Sequence, residues 1–84
     1  ITRDYKSELQ EQVQKIIGVL STYELVEESG PDHEKVFTMA VFIREKEWGR
    51  GRGASKKLAS QLAAENALLR IQQDPSFLLA EKIN

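Results

Sequence analysis

Residues Trp48–Leu68 read "WGRGRGASKKLASQLAAENAL", and the reading of this stretch decides the fold. Gly49, Gly51 and Gly53 alternate with Arg50 and Arg52. Ser55 is a good helix N-cap, and two lysines follow it. Ala59, Ala63, Ala67 and Ile71 then step by four and form a narrow ridge flanked by Ala64 and Leu68. Such a ridge lets a helix lie close to a sheet. The stretch is therefore a strand-to-helix switch, with "WGRG" as a short strand and a helix from Ser55 to about Gln72, ended by Asp74-Pro75. Cations are unfavourable in the first turn of a helix, by ~0.3–1 kcal/mol each. The placement of Lys56 and Lys57 therefore needs a reason.

Upstream, "VFTMAVFI" (36–43) is rich in β-branched and aromatic residues and reads as a strand. It would carry Phe37, Met39 and Val41 on one face and Val36, Thr38, Ala40 and Phe42 on the other. "REKE" is a polar turn, and "SGPDHEK" is a loop by its Gly-Pro pair. "TYELVEE" (22–28) alternates as a strand. "DYKSELQEQVQKII" (4–17) has Tyr5, Leu9, Val13 and Ile16 or Ile17 at helical spacing, with Gly18 at its end. The order α-β-β-β-α predicts an α+β domain: a three-stranded antiparallel sheet with two helices packed on one face. The boundaries are 1–73 for the domain and 74–84 for a C-terminal tail. The tail residues Phe77, Leu78, Leu79 and Ile83 are expected to fold back on Leu58, Leu62 and Leu69 of the second helix. Failing that, these leucines are a contact for another domain or chain.

Bulk properties set limits. With 84 residues the chain makes one small domain with a thin core. It has no cysteine, so no disulfide framework or thiolate metal site. No apolar run approaches the ~20 residues of a bilayer span, and a cytoplasmic setting is the expectation. The chain begins with Ile1, which suggests a piece of something larger. Net charge is −1, yet its distribution is uneven. Residues 1–43 hold four Lys/Arg against eight Asp/Glu, residues 44–57 hold six against two, and residues 58–84 hold two against three. Anion binding follows the local field, so the focus at 44–57 outweighs the total.

The glycine run is neither a P-loop nor a dinucleotide fingerprint, because the spacings and the βαβ context are missing. Two readings stay open: a tight connection with solvated arginines, or an anion site. In the second, glycines let the backbone approach a phosphate, the helix N-terminus supplies N–H donors, and Lys56 and Lys57 supply charge. Adjacent helical lysines diverge by about 100°, which favours a polyanion. Ser7, Gln10, Glu11 and Gln14 form a mixed donor and acceptor face on the first helix, either simply wet or suited to hydroxyls. His33, the only histidine, lies in a loop with no partner for a metal site. No catalytic constellation appears.

Together, "DYKSELQE", "GPDHEKVF" and the glycine-rich lead into "SKKLASQLAAENAL" resemble the double-stranded RNA-binding domain, most closely that at the C-terminus of bacterial ribonuclease III. The resemblance covers roughly residues 4–72. It implies that Ser7, Gln10, Glu11 and Gln14 contact one minor groove, and that Pro31 and His33 enter the next. Lys56, Lys57, Ser55 and the amides of Gly53 and Ala54 would lie across the phosphates between. It implies duplex RNA as partner, DNA not expected, and no cofactor for these residues. The family's "ExxEFLGD" signature does not appear here, so catalysis with Mg²⁺ is expected in a nuclease domain elsewhere. The alternatives are the same domain from another RNA-processing or regulatory protein, or a protein-interaction module on this fold. Asp32 and Glu34 beside His33 make that loop less positive than a strong binder would want.

Overall fold

The structure, a computed structural model, describes residues 3–83, with side chains through Glu81. The elements are α1 (Tyr5–Ile16), β1 (Thr22–Ser29), β2 (Val36–Ile43), β3 (Lys46–Gly53), α2 (Lys56–Gln73) and α3 (Ser76–Ile83). The strands form one antiparallel sheet in the order β1-β2-β3. This is the α-β-β-β-α arrangement expected, with a third short helix added by the tail.

The expected short "WGRG" strand is corrected: β3 runs through the whole glycine series to Gly53. The turn before it narrows to Arg44 and Glu45, at φ 51° and 68°, the two left-handed positions of a tight hairpin. Across β2 and β3, Val41 faces Gly49, Met39 faces Gly51 and Phe37 faces Gly53. This glycine face meets α2. A Cβ on Gly49 would stand 2.5 Å from the Ala63 carbonyl oxygen and 2.8 Å from the Ala67 nitrogen. One on Gly51 would collide with the Ala59 and Ala63 backbone. Neither glycine has a left-handed φ, so the need is for space and not for conformation. The alternating glycines and the alanine ridge are two halves of one close helix–sheet contact. Gly49 and Gly51 are therefore packing residues and not a phosphate cradle.

The core gathers Leu9 and Val13 from α1, Val41 and Ile43 from β2, Trp48 from β3, and Ala63, Ala64, Ala67 and Ile71 from α2. Leu78 of α3 joins it, fully buried. Trp48 meets Phe77 edge-on, with ring centroids 6.5 Å apart, and the Arg70 guanidinium lies over both rings. Lys46 donates to the buried Glu81 carboxylate at 2.7 Å, and Arg44 donates to the Glu81 carbonyl at 2.6 Å. The tail thus docks beside Trp48 and Ile71. The side chain of Ile83 lies outside the described residues. Leu58 and Leu62, expected under the tail, instead lie against β3 beside Gly53 and Gly51. Leu69, Phe77 and Leu79 are exposed.

Both sheet edges are guarded against pairing with other strands. Along β3, Asn66 donates to the Arg50 carbonyl at 2.5 Å and Arg70 to the Glu47 carbonyl at 3.3 Å. β1 is interrupted by a register shift between Leu25 and Glu27 and carries Glu24, Glu27 and Glu28.

Candidate nucleic-acid interface

Antiparallel pairing places two of the sequence clusters at one end of the sheet. Ser29 pairs with Val36 across the Gly30–Lys35 loop, and Phe37 pairs with Gly53, where β3 leaves for α2. The Pro31–His33 loop and the Lys56–Lys57 turn therefore flank the same two strand ends. Lys56 Nζ lies 5.9 Å from the centre of the Phe37 ring, which links them further.

The loop is internally fixed. Glu34 donates to the Pro31 carbonyl at 2.9 Å, and Lys35 pairs with Glu28 at 3.0 Å. Gly30 has φ 89°, and a Cβ there would meet the Glu34 carbonyl oxygen at 2.5 Å, so only glycine fits. Pro31, Asp32, His33 and Glu34 are all exposed.

The basic focus seen in the sequence is dispersed by the fold. Arg44 and Lys46 hold α3. Arg50 is paired in two-pronged fashion with Glu47, at 2.6 and 3.0 Å. Glu47 is held below the usual carboxylate range by that hydrogen bond. Arg52 lies beside a shallow depression shared with Glu27 and Glu65. Among the described residues, Lys56 and Lys57 form no ion pair. They stand on the first turn of an 18-residue helix that has no acidic residue there. The Ser55 hydroxyl accepts from Leu58 N–H at 3.0 Å, so its own proton remains available to donate. Ala54 is exposed; Gly53 is half-buried, and a Cβ there would press on Leu58 and Ala59.

The α1 face is tied to this turn by a residue that sequence reasoning missed. Gln61 Oε1 accepts from Tyr5 N–H at 2.8 Å, and Gln61 Nε2 donates to Asp4 at 3.0 Å. Asp4 also accepts from the Ser7 N–H and hydroxyl. The Gln61 bond first, then those from Ser7, lower the Asp4 carboxyl to about 2. Lys6, also missed, lies 4.6 Å from the centre of the Tyr23 ring and lines one depression with Lys57. Burial pushes the Tyr23 hydroxyl up to about 12, so it stays neutral. Spacing could not have found Gln61, because the pairing crosses 56 residues of chain.

Ser7, Gln10, Glu11 and Gln14 do line one shallow surface, together with Lys15 and Leu20. Their availability differs. Glu11 and Gln14 are exposed, whereas the Gln10 amide is bonded to the following loop. Its Nε2 donates to the Val19 carbonyl at 3.0 Å, and its Oε1 accepts from Ser21 N–H and Oγ at 2.9 and 2.8 Å. Among the described residues, no group of three or more His, Asp or Glu side chains is placed to hold a metal ion, and no helix is long and apolar enough to cross a membrane.

Residues 5–71 match the family model for the double-stranded RNA binding motif. The chain belongs to this family. It is 54% identical over 66 residues to a protein named ribonuclease 3 from Campylobacter fetus, covering 79% of this chain and 30% of that one. To the ribonuclease 3 of Campylobacter concisus it is 48% identical over 73 residues, covering 87% and 33%. The chain thus spans about a third of the length of these relatives. Among solved structures, Arabidopsis HYL1, described for its implications for miRNA processing, superposes with a TM-score of 0.70 at 33% identity. That match covers 83% of this chain and 99% of the other. A solution structure of both double-stranded RNA-binding domains of DRB4 gives 0.65 at 37% identity, covering 82% and 44%.

Proposed function

We propose that this domain binds double-stranded RNA by shape, through three surfaces held in fixed relation. The observation that carries this is the Asp4–Gln61–Tyr5 lock, which joins the α1 face to the α2 turn whose lysines form no ion pair among the described residues. A-form RNA presents 2′-hydroxyls in a wide minor groove, and such a domain spans ~16 base pairs across two minor grooves and the phosphates between. Ser7, Glu11 and Gln14 suit the first minor groove. A carboxylate facing a polyanion is costly unless it accepts a proton, and a 2′-hydroxyl offers one to Glu11. Pro31 and His33 suit the second groove. Lys56, Lys57, the Ser55 hydroxyl and the free amides at the α2 N-terminus suit the phosphates. The backbone N–H groups there also answer the question of the misplaced lysines: the phosphates supply the negative charge that the helix end lacks.

The parent is a ribonuclease III, in which this module holds a duplex for a Mg²⁺-dependent nuclease domain in the cytoplasm. The relatives' names support the ribonuclease III parent, and these residues would contribute affinity and placement but no catalytic group. Of the leucine stripe, Leu69 is the exposed member left to meet the nuclease domain or a dimer mate.

The test is a calorimetric titration with RNA and DNA duplexes of equal length at two salt concentrations. RNA is expected to bind more tightly, with affinity falling as salt rises. Equal affinity for DNA would remove the 2′-hydroxyl role of Glu11, and salt-independent binding would remove the phosphate role of the lysines.

A further inference from the structure

Leu20 is 74% exposed, well above Leu25, Val26, Leu69, Phe77 or Leu79, which lie between 41% and 48%. A single exposed leucine is ordinary on a protein surface. This one is different in how it is held. It lies between Val19, which packs on the core, and Ser21, which is half-buried. Both neighbours are bonded to the same amide: Gln10 donates to the Val19 carbonyl and accepts from the Ser21 N–H and hydroxyl. With the backbone held on each side, the Leu20 side chain is presented outward to solvent. It emerges beside Glu11 and Gln14, on the surface proposed to meet a minor groove.

From this geometry we infer that Leu20 is a further contact of the RNA interface, and that Gln10 is the positioning residue that presents it. The inference rests on the duplex-RNA reading above and extends it. The minor groove of A-form RNA is wide and shallow, and between its hydroxyls it offers ribose carbons and base edges that an isobutyl group can cover. The occupant is the duplex, because the apolar residue is continuous with the polar patch that reads the same groove. The contact differs in kind from the lysines: it excludes water and releases no counterions, so it adds affinity without adding salt dependence. Gln10, with its oxygen and one N–H engaged, serves the groove chiefly through the loop.

The experiment is a fluorescence titration at two salt concentrations, using a duplex RNA of about 20 base pairs, longer than the ~16 spanned. Each protein is also melted thermally. Leu20→Ala is expected to bind about tenfold more weakly, with the salt slope and melting temperature of the unaltered protein. Tenfold corresponds to losing about half the transfer energy of the three carbons removed. Gln10→Ala is also expected to weaken binding. The double variant should bind no more weakly than Gln10→Ala alone, since the two changes act through one contact. Unchanged affinity in Leu20→Ala overturns the contact, and strictly additive losses overturn the positioning role. If the unaltered protein binds no duplex RNA, both this inference and the reading beneath it fall. If it binds and Leu20→Ala matches it, this inference falls alone.

Discussion

Gly49→Ala tests the helix–sheet packing most sharply. The new Cβ would stand 2.5 Å from the Ala63 carbonyl oxygen, where ordinary contact begins at 3.4 Å. The clash is with backbone, so no side-chain rotation relieves it. Relief requires α2 to retreat by about 0.9 Å, the difference of those two distances. A gap of 0.5–1 Å forfeits roughly a quarter to a half of each dispersion contact. The contacts at risk are those of Ala59, Ala63, Ala67 and Ile71, all buried. Overpacking of this kind costs about 1–3 kcal/mol, and a rigid backbone partner places it toward the upper end. Against this, alanine restricts the unfolded chain, returning about 0.4–1 kcal/mol where its conformation is allowed. A net loss of about 2 kcal/mol is expected. For a domain of this size that lowers the melting temperature by roughly 8–16 °C. Gly51→Ala should do the same. Gly53→Ala should cost less, since its nearest neighbours stand farther off, Leu58 Cγ at 3.0 Å and the Ala59 nitrogen at 3.1 Å. Circular dichroism melts give the stability, and RNA titration well below the transition gives the affinity. Unchanged stability with lost RNA binding in Gly49→Ala would refute the packing argument and restore the glycines as a phosphate approach.

Two further predictions follow from the interface. Lys56→Ala with Lys57→Ala is expected to flatten the dependence of log affinity on log salt by about one to two units, roughly one per lost phosphate contact. It should leave the melting temperature equal or slightly raised, because cations at a helix N-terminus are unfavourable; an unchanged slope would separate these lysines from the phosphates. Asp4 has its folded pKa lowered to about 2, below the ~3.9 of an unfolded chain. Its stabilisation is therefore complete above pH ~4 and is lost as pH falls toward 2. The melting-temperature gap between the unaltered protein and Asp4→Asn should narrow over that window, and a gap constant from pH 5 to 2 would show that the Gln61 lock does not act through the Asp4 charge.

Much of this was legible in the sequence, and the reasons are local. Helical spacing of Leu9 and Val13, the alternation in residues 36–43, Ser55 as N-cap and the four-step alanine ridge are short-range signals. They determined the order α-β-β-β-α and the alanine ridge by which the second helix meets the sheet. The lysines stood out because their misplacement on a helix end is also a local fact. Tertiary structure alone decided which charges are free and which groups are already engaged. Arg44, Lys46 and Arg50 belong to the basic focus in the sequence, yet partners on α3 and on β3 itself absorb them. The glycines read as backbone freedom for a ligand, but the space they leave is filled by α2. Gln10 reads as a surface reader and is bonded to its own loop, while Leu20, unremarked in the sequence, is the side chain that loop exposes. Hydrogen bonds and close packing join residues far apart in the chain, and no periodicity records which donor meets which acceptor.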